Sequence, residues 1–176
     1  MKFLENENIR LRSLEPEDLE FLYKWENDTS LWEYGNTLTP FSKYILRQYL
    51  EKASLDIFDV KQLRLIIEDK VTKTPAGTID LYDFDPYHNR AGIGILVDEI
   101  FQRKSFATQS LKLMEEYAFK ILKMNQLYAF IPTFNVPSLH LFRKCGFVEV
   151  GLLKKWYKNL DGNGDVFFYQ LLNSAL

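Results

Sequence analysis

The sequence predicts one α/β domain over residues 1–176, a central twisted mixed sheet with helices on both faces. Three observations predict it. Segments of period two alternate with segments of helical period in the order β, α, α, β, β, β, α, β, α, β, β, which packs naturally as a mixed sheet covered on both sides. The chain has 176 residues, 47% hydrophobic and 15% aromatic, which suits one domain with a real core and excludes a disordered chain. Arg90-Ala-Gly-Ile-Gly-Ile-Leu-Val97 is an apolar run of strand length that leads through the polar Gln102-Arg-Lys-Ser105 turn into a helix.

Taken in order, Ile9-Arg-Leu-Arg-Ser-Leu14 alternates as a first strand, and Pro16-Glu-Asp opens a helix with acids in its first turn. Leu19, Leu22 and Glu26 fall on one side of it, Phe21 and Trp25 on an adjacent side. Asn27-Asp-Thr-Ser30 breaks it, leaving Trp32, Glu33 and Tyr34 in a loop. Thr39-Pro40 reads as the next helix start, with Phe41, Ile45 and Tyr49 along one face and an end near Ala53. Gln62–Ile67 and Ala76–Tyr82 form a hairpin across the Lys70–Pro75 turn. After the Arg90 strand, apolar residues at 107, 111, 114, 118 and 121 or 122 mark one face of a helix. Leu127–Ile131 is a strand, and Asn135–Phe147 holds a short helix with Pro137 in its first turn and Gly146 past its end. Two last strands, near Leu153–Tyr157 and Val166–Leu171, are joined by Asp161-Gly-Asn-Gly-Asp165.

No apolar run approaches the ~18–20 residues of a membrane span. The N-terminus lacks the apolar core of a signal peptide, and the single cysteine, Cys145, rules out an internal disulfide, so the cytoplasm is the expected compartment. Net charge is −2, unevenly spread. Residues 1–100 carry 12 Lys and Arg against 19 Asp and Glu, while residues 101–176 carry 10 against 5. A basic second half suits an anionic cofactor and an acidic first half a cationic substrate. Solvated faces would look the same. Neither half has a nucleic-acid footprint.

The turn before the 106–120 region carries the first chemical signal. A helix start offers unpaired N–H groups and the positive dipole end, and Arg103 and Lys104 add charge, which together suggest a phosphorylated ligand. With Asn135…Ser138…Phe142-Arg-Lys-Cys-Gly-Phe147 added, nearly the whole chain resembles the GNAT family of N-acetyltransferases. Within it, the chain is most similar to the spermidine N-acetyltransferases and the ribosomal-protein N-terminal acetyltransferases.

The resemblance implies a GNAT-like acyl-CoA N-acyltransferase fold, in which the strands near Ile95 and Phe130 splay and the pantetheine arm lies between them. It implies acetyl-CoA as co-substrate, no metal, and a small amine or polyamine as acceptor, attacked directly in a ternary complex. A homo-oligomer is compatible with it. Backbone N–H groups from about Arg103 to Thr108, along Gln102, Arg103, Lys104, Ser105, Phe106, Ala107 and Thr108, would grip the pyrophosphate. Gln102 and Ala107 fit the family pattern, but Ser105 and Arg103 stand where glycine is usual. Ser105 could instead cap the helix and compete for the same amides. Asn135 and Ser138 match cofactor-contact positions, and Arg143 and Lys144 would meet the distal phosphate. A main-chain N–H of Ile95, Leu96 or Val97 would stabilise the oxyanion.

Two family positions lack their usual group. Phe142 stands where spermidine-type members place an acid tyrosine, which predicts a slower enzyme or one whose acid is elsewhere, with Tyr128, Tyr157 and water as candidates. Gly92 stands where many members have glutamate, which leaves Glu33, Asp80 and Asp83 as acids on the amine side. The alternatives are N-terminal protein acetylation and a non-catalytic acyl-CoA-binding or polyamine-sensing module. Three further features read as structural. Cys145 and His140 are five residues apart on a short helix, poorly placed to meet. Asn159–Asp165 departs from a calcium loop at its first and last positions and is a hairpin turn. His88 lacks partners at metal spacing.

Overall fold

The computed structural model describes residues 3–35, 37–53, 55–159 and 162–174. Its elements are β1 (Ile9–Arg12), α1 (Leu19–Glu26), α2 (Thr29–Trp32), α3 (Lys43–Ala53), α4 (Ile57–Val60), β2 (Leu63–Asp69), β3 (Pro75–Asp85), β4 (Arg90–Val97), α5 (Phe106–Lys120), β5 (Gln126–Pro132), α6 (Val136–Lys144), β6 (Val148–Asn159) and β7 (Gly162–Leu172). Single 3-10 turns at Pro16–Asp18 and Glu99–Phe101 precede α1 and α5.

Seven strands form one sheet in the order β1-β2-β3-β4-β5-β7-β6, antiparallel except for β4 and β5. The alternation of each strand sorts its residues to two faces. Leu65, Ile67, Ile79, Leu81, Ile93 and Leu127 turn to the main core, closed by Leu111, Met114 and Ala118 of α5 and by Leu139 and Phe142 of α6. Ile66 and Leu96 turn the other way, beneath Leu19, Leu22 and Trp25 of α1 and Leu46 of α3. Helices therefore cover both faces, as the order of periodicities predicts.

The β4–β5 pairing positions the site. It runs from Arg90↔Gln126 to Gly92↔Tyr128 and stops there. Beyond Gly92, β4 keeps β3 as a partner and β5 keeps β7, so the sheet opens between Ile93–Val97 and Ala129–Pro132.

The local departures from expectation have identifiable causes. The Pro16 segment begins as a 3-10 turn, with Asp18 accepting from the Glu15 N–H at 2.8 Å, and becomes α-helical at Leu19. The Asn27–Ser30 break is followed at once by α2, because the Asp28 side chain accepts from the Ser30 N–H. Trp32 is therefore helical, and only Glu33 and Tyr34 lie beyond. Helix α3 starts at Lys43, not at Thr39-Pro40. The Asn27 amide side chain accepts from the Phe41 N–H and donates to the Phe41 carbonyl, holding that segment out of the helix. Ser42 then caps, its Oγ accepting from the Ile45 N–H at 3.2 Å. The buried face is Leu46, with Phe41 and Leu50 beside it; Ile45 is exposed. Helix α4 lies on a stretch to which the sequence assigns no element. β6 and β7 run to Asn159 and from Gly162, so the calcium-like stretch is strand on both sides, with 160 and 161 outside the described residues.

Candidate active site

The opening between β4 and β5 holds a cavity of about 110 Å³, lined by Ile93, Gly94 and Ile95 on one side and Ala129 to Pro132 on the other. Asn135, Ser138 and Phe142 of α6 form its floor, and Tyr34 stands at its mouth. Because β4 pairs only with β3 here, alternate main-chain groups of Ile93–Val97 point into the opening. Ile95 lines it. Leu96 packs under α1 and α3, and Val97 packs against the main core. Asn135 caps α6, its side chain accepting from the Ser138 N–H at 3.2 Å. Phe142 is 2% exposed and packs edge-on against Phe147 at 4.9 Å.

The turn into α5 stays open for an anion. Arg103 and Ser105 adopt φ of 60° and 62°, so the two positions where the family uses glycine keep the left-handed conformation without it. That geometry costs roughly 1–2 kcal/mol per residue with a β-carbon. Phe101 and Phe106 stack at 5.6 Å beneath the turn, and Lys104 lies over the Phe101 ring at 5.2 Å. Ser105 makes no side-chain cap, so it does not compete for the amides. Among the described residues, no N–H from Arg103 to Thr108 finds a protein acceptor; the first bond of α5 is the Gln109 N–H to the Ser105 carbonyl. Gln102 is exposed and reaches back to the Val97 carbonyl at 3.4 Å.

Asp98 anchors this turn. It is buried at the end of β4, accepts from Lys24 at 2.6 Å and Trp25 at 2.7 Å, and caps the 3-10 turn before Gln102. Burial pushes its carboxyl up, but the bonds from Lys24 and Trp25 outweigh this and hold it below the usual carboxylate range. A group so depressed contributes stability at neutral pH that is lost as pH falls through its folded value, so acid loosens α1 from β4. Asp98→Ala is expected to cost about 1–3 kcal/mol, because it orphans the buried Trp25 N–H. It is also expected to raise KM for acetyl-CoA with little change in kcat; urea unfolding and steady-state kinetics check both.

At the far end of α6, Arg143 is already paired with Glu149 at 2.9 Å and lies over the Tyr169 ring, while Lys144 is exposed and makes no ion pair among the described residues. Cys145 is buried and His140 exposed, so no thiol–imidazole pair forms; burial raises the thiol. His88 is bound to Asp85 at 2.9 Å, and no metal-holding group of side chains exists among the described residues.

A second cavity of about 680 Å³ opens on the side of β5 turned from the main core. Tyr128, Phe130, Trp156 and Phe168 wall it, with Asp83, Asp85 and Arg90 at one end, and Phe130 lines both cavities. The absent glutamate has a steric reason. A β-carbon at Gly92 would lie 2.2 Å from the Tyr82 ring, so Tyr82 fills the volume a side chain there would need. Burial pushes the Tyr82 hydroxyl well up, and Tyr128 in the same direction. Asp80 is committed to Arg64 at 2.5 Å, which also binds Glu26 at 2.6 Å. Glu33 is exposed and lines neither cavity. Tyr157 packs near Phe134 and lines neither cavity. The tyrosine that the fold brings to the opening is Tyr34, its ring 5.5 Å from Phe134. The sequence reading missed it, because nothing local shows that the segment after α2 folds over β5.

A sheet parted between two parallel strands, beside an uncapped helix start, is the geometry of a transferase that draws its acyl group from an acyl-CoA. The chain belongs to the GNAT acetyltransferase family, whose domain matches residues 8–148. It is thus an acetyl-CoA-dependent N-acetyltransferase, as the resemblance implied. Spermidine N(1)-acetyltransferase of Escherichia coli (strain K12) is 30% identical over 154 residues, covering 86% of this chain and 80% of that protein. A Bacillus subtilis (strain 168) relative that carries the name of a ribosomal N-acetyltransferase is 26% identical over 182 residues, covering 95% and 92%. The crystal structure of spermidine N-acetyltransferase from Vibrio cholerae in complex with CoA and spermine superposes with a TM-score of 0.86 at 28% identity, covering 96% of this chain and 98% of that one.

Proposed function

We propose that this chain acetylates a primary amine of a small polyamine such as spermidine, by direct attack in a ternary complex. The observation that carries this is that Phe130 lines both the opening between β4 and β5 and a trough with aromatic walls that Asp83 and Asp85 also line. The relatives named for spermidine, one of them crystallised with CoA and spermine, support the same acceptor.

Acetyl-CoA supplies a thioester carbonyl. The open amides from Arg103 to Thr108, with Lys104 beside them, bind its pyrophosphate, and Asn135, Ser138 and Phe142 flank the pantetheine arm. A main-chain N–H of the Ile95–Val97 stretch faces the developing oxyanion. Tyr34, which lines the opening together with the acid-less Phe142, gives a proton to the departing thiolate. The amine loses its proton to water, since Gly92 offers no carboxylate. One-domain folding over residues 1–176 and assembly with like chains belong to this reading; a Vibrio cholerae relative is dodecameric.

Calorimetric titration with acetyl-CoA, followed by thiol release with spermidine, tests it. We expect saturable one-to-one binding, and thiol release that needs both substrates. Binding without turnover of any amine would leave an acyl-CoA-binding module and overturn the reading.

A further inference from the structure

The parting of β4 from β5 has a direction. The turn from Gln102 to Thr108 follows the Val97 end of β4, and Gln102 reaches back to the Val97 carbonyl at 3.4 Å. An arm that hangs from phosphates at that turn enters the opening beside Val97 and runs toward Gly92. Its acyl end comes to rest nearest the row where the two strands rejoin.

That row is closed in the sheet plane and on both faces. In the plane, Gly92 pairs with Tyr128 as the last pair of the parallel ladder, and Ile93 and Ala129 are the innermost residues that line the opening. On the main-core face, Leu81, Ala91, Ile93 and Leu127 are all buried. On the other face, Tyr82 pairs with Gly92 from β3 and lays its ring across it. A β-carbon at Gly92 would lie 2.2 Å from that ring, and one at Gly94 would lie 3.8 Å from it. The Tyr82 ring also meets Tyr128 edge-on, with centroids 6.1 Å apart, so tyrosines from the two strands that flank β4 meet over its glycine. Tyr128 is braced in turn by Phe130 at 5.6 Å and Phe168 at 5.8 Å. Any side chain at 92 would displace the Tyr82 ring, so glycine there serves a close approach.

Resting on the acyl-CoA slot described above, we propose that the Tyr82–Gly92–Tyr128 row is the end wall of that slot and confines the enzyme to short acyl donors. Tyr82 lies outside the opening and acts by roofing its blind end. Ile95, the first main-chain group assigned to the oxyanion, stands two residues from Ile93, about 7 Å at strand rise. That depth seats a short acyl chain. An octanoyl chain overruns it and must displace the tyrosine pair.

The test is calorimetric binding of acetyl-, butyryl- and octanoyl-CoA to the full chain, which needs no acceptor. For the unmodified chain, octanoyl-CoA should bind at least about tenfold more weakly than acetyl-CoA, since surplus methylenes in a closed apolar site cost at least that. Tyr82→Ala removes the roof and should narrow the gap to about threefold or less. Tyr82→Phe keeps the ring and should restore the discrimination that alanine loses. The ratio between donors is the readout, because a slot that is merely loosened weakens every donor alike. Steady-state kcat/KM for the same donors with one amine should follow the same order. Octanoyl-CoA bound as tightly as acetyl-CoA by the unmodified chain overturns the end wall, and so does a ratio that Tyr82→Ala leaves unmoved; both leave the acetyltransferase reading standing. Failure to bind any acyl-CoA overturns the donor slot itself.

Discussion

Tyr34→Phe is expected to lower kcat with spermidine about 100-fold while leaving KM for acetyl-CoA unchanged. A positioned acid contributes roughly 10²–10⁴-fold, and the low end is apt here because an alkyl thiol with a pKa near about 8.5 leaves tolerably unaided. Tyr34 and Ser138 are the O–H-bearing side chains around the opening, and Ser138 lies in the first turn of α6, where its N–H is tied to Asn135. Tyr82 does not line the opening, and burial pushes its hydroxyl up. Steady-state kinetics with both substrates varied would check the split. Phe142→Tyr in the Tyr34→Phe background supplies a decisive second arm. Phe142 lines the same opening, at the position where the family resemblance implies an acid tyrosine. A hydroxyl there should recover a large part of the loss. If Tyr34→Phe keeps full kcat, the thiolate leaves without an acid and Tyr34 only closes the mouth of the slot.

That Tyr34 had to be found in three dimensions shows where sequence reasoning stops. The strand from Arg90 to Val97, the helix after the Gln102 turn and the short helix ending before Gly146 are legible, because local periodicity and end signals agree with tertiary burial. So is the parting of the sheet, but only through family resemblance; no residue of Ile93–Val97 announces that its neighbour is missing. The left-handed backbone at Arg103 and Ser105 is not legible at all, since neither residue type favours it and the Phe101–Phe106 stack lies beneath it. The start of α3 was misplaced for a related reason. Thr39-Pro40 is a sound local signal, and it lost to a side chain fourteen positions away, Asn27, which bonds both main-chain groups of Phe41. Asp80 reads as a free acid in sequence and is bound to Arg64 in the fold, whereas Asp83, three residues on in the β-bulge between Tyr82 and Asp85, makes no hydrogen bond or ion pair among the described residues.

The largest effect on stability is expected from Arg12→Ala, about 3–5 kcal/mol by urea unfolding. Arg12 donates its fork to both oxygens of Asp18 at 2.7 and 2.8 Å and its Nε to Glu68 at 2.6 Å. Asp18 is 2% exposed and Glu68 is 6% exposed. Those carboxylates, Asp18 first, hold the guanidinium firmly in its charged form. Deleting Arg12 strands the Asp18 carboxylate in the interior with the Glu15 N–H as its remaining donor, while Glu68 keeps Arg10 at 2.9 Å. The cost is thus mainly that of one orphaned buried charge, and Arg12→Lys should restore only part of it, because an ammonium cannot span both carboxylates with fork geometry. The control is Lys43→Ala, which breaks the exposed pair with Glu20 and should cost well under about 1 kcal/mol. The consequence reaches the site. Asp18 begins the helix whose last turn carries Trp25 to Asp98 and Glu26 to Arg64, and whose end leads through α2 to Tyr34. A loss for Arg12→Ala no greater than for Lys43→Ala would mean that α1 is held by its apolar face alone, through Leu19, Leu22 and Trp25 on Leu46 and Ile66.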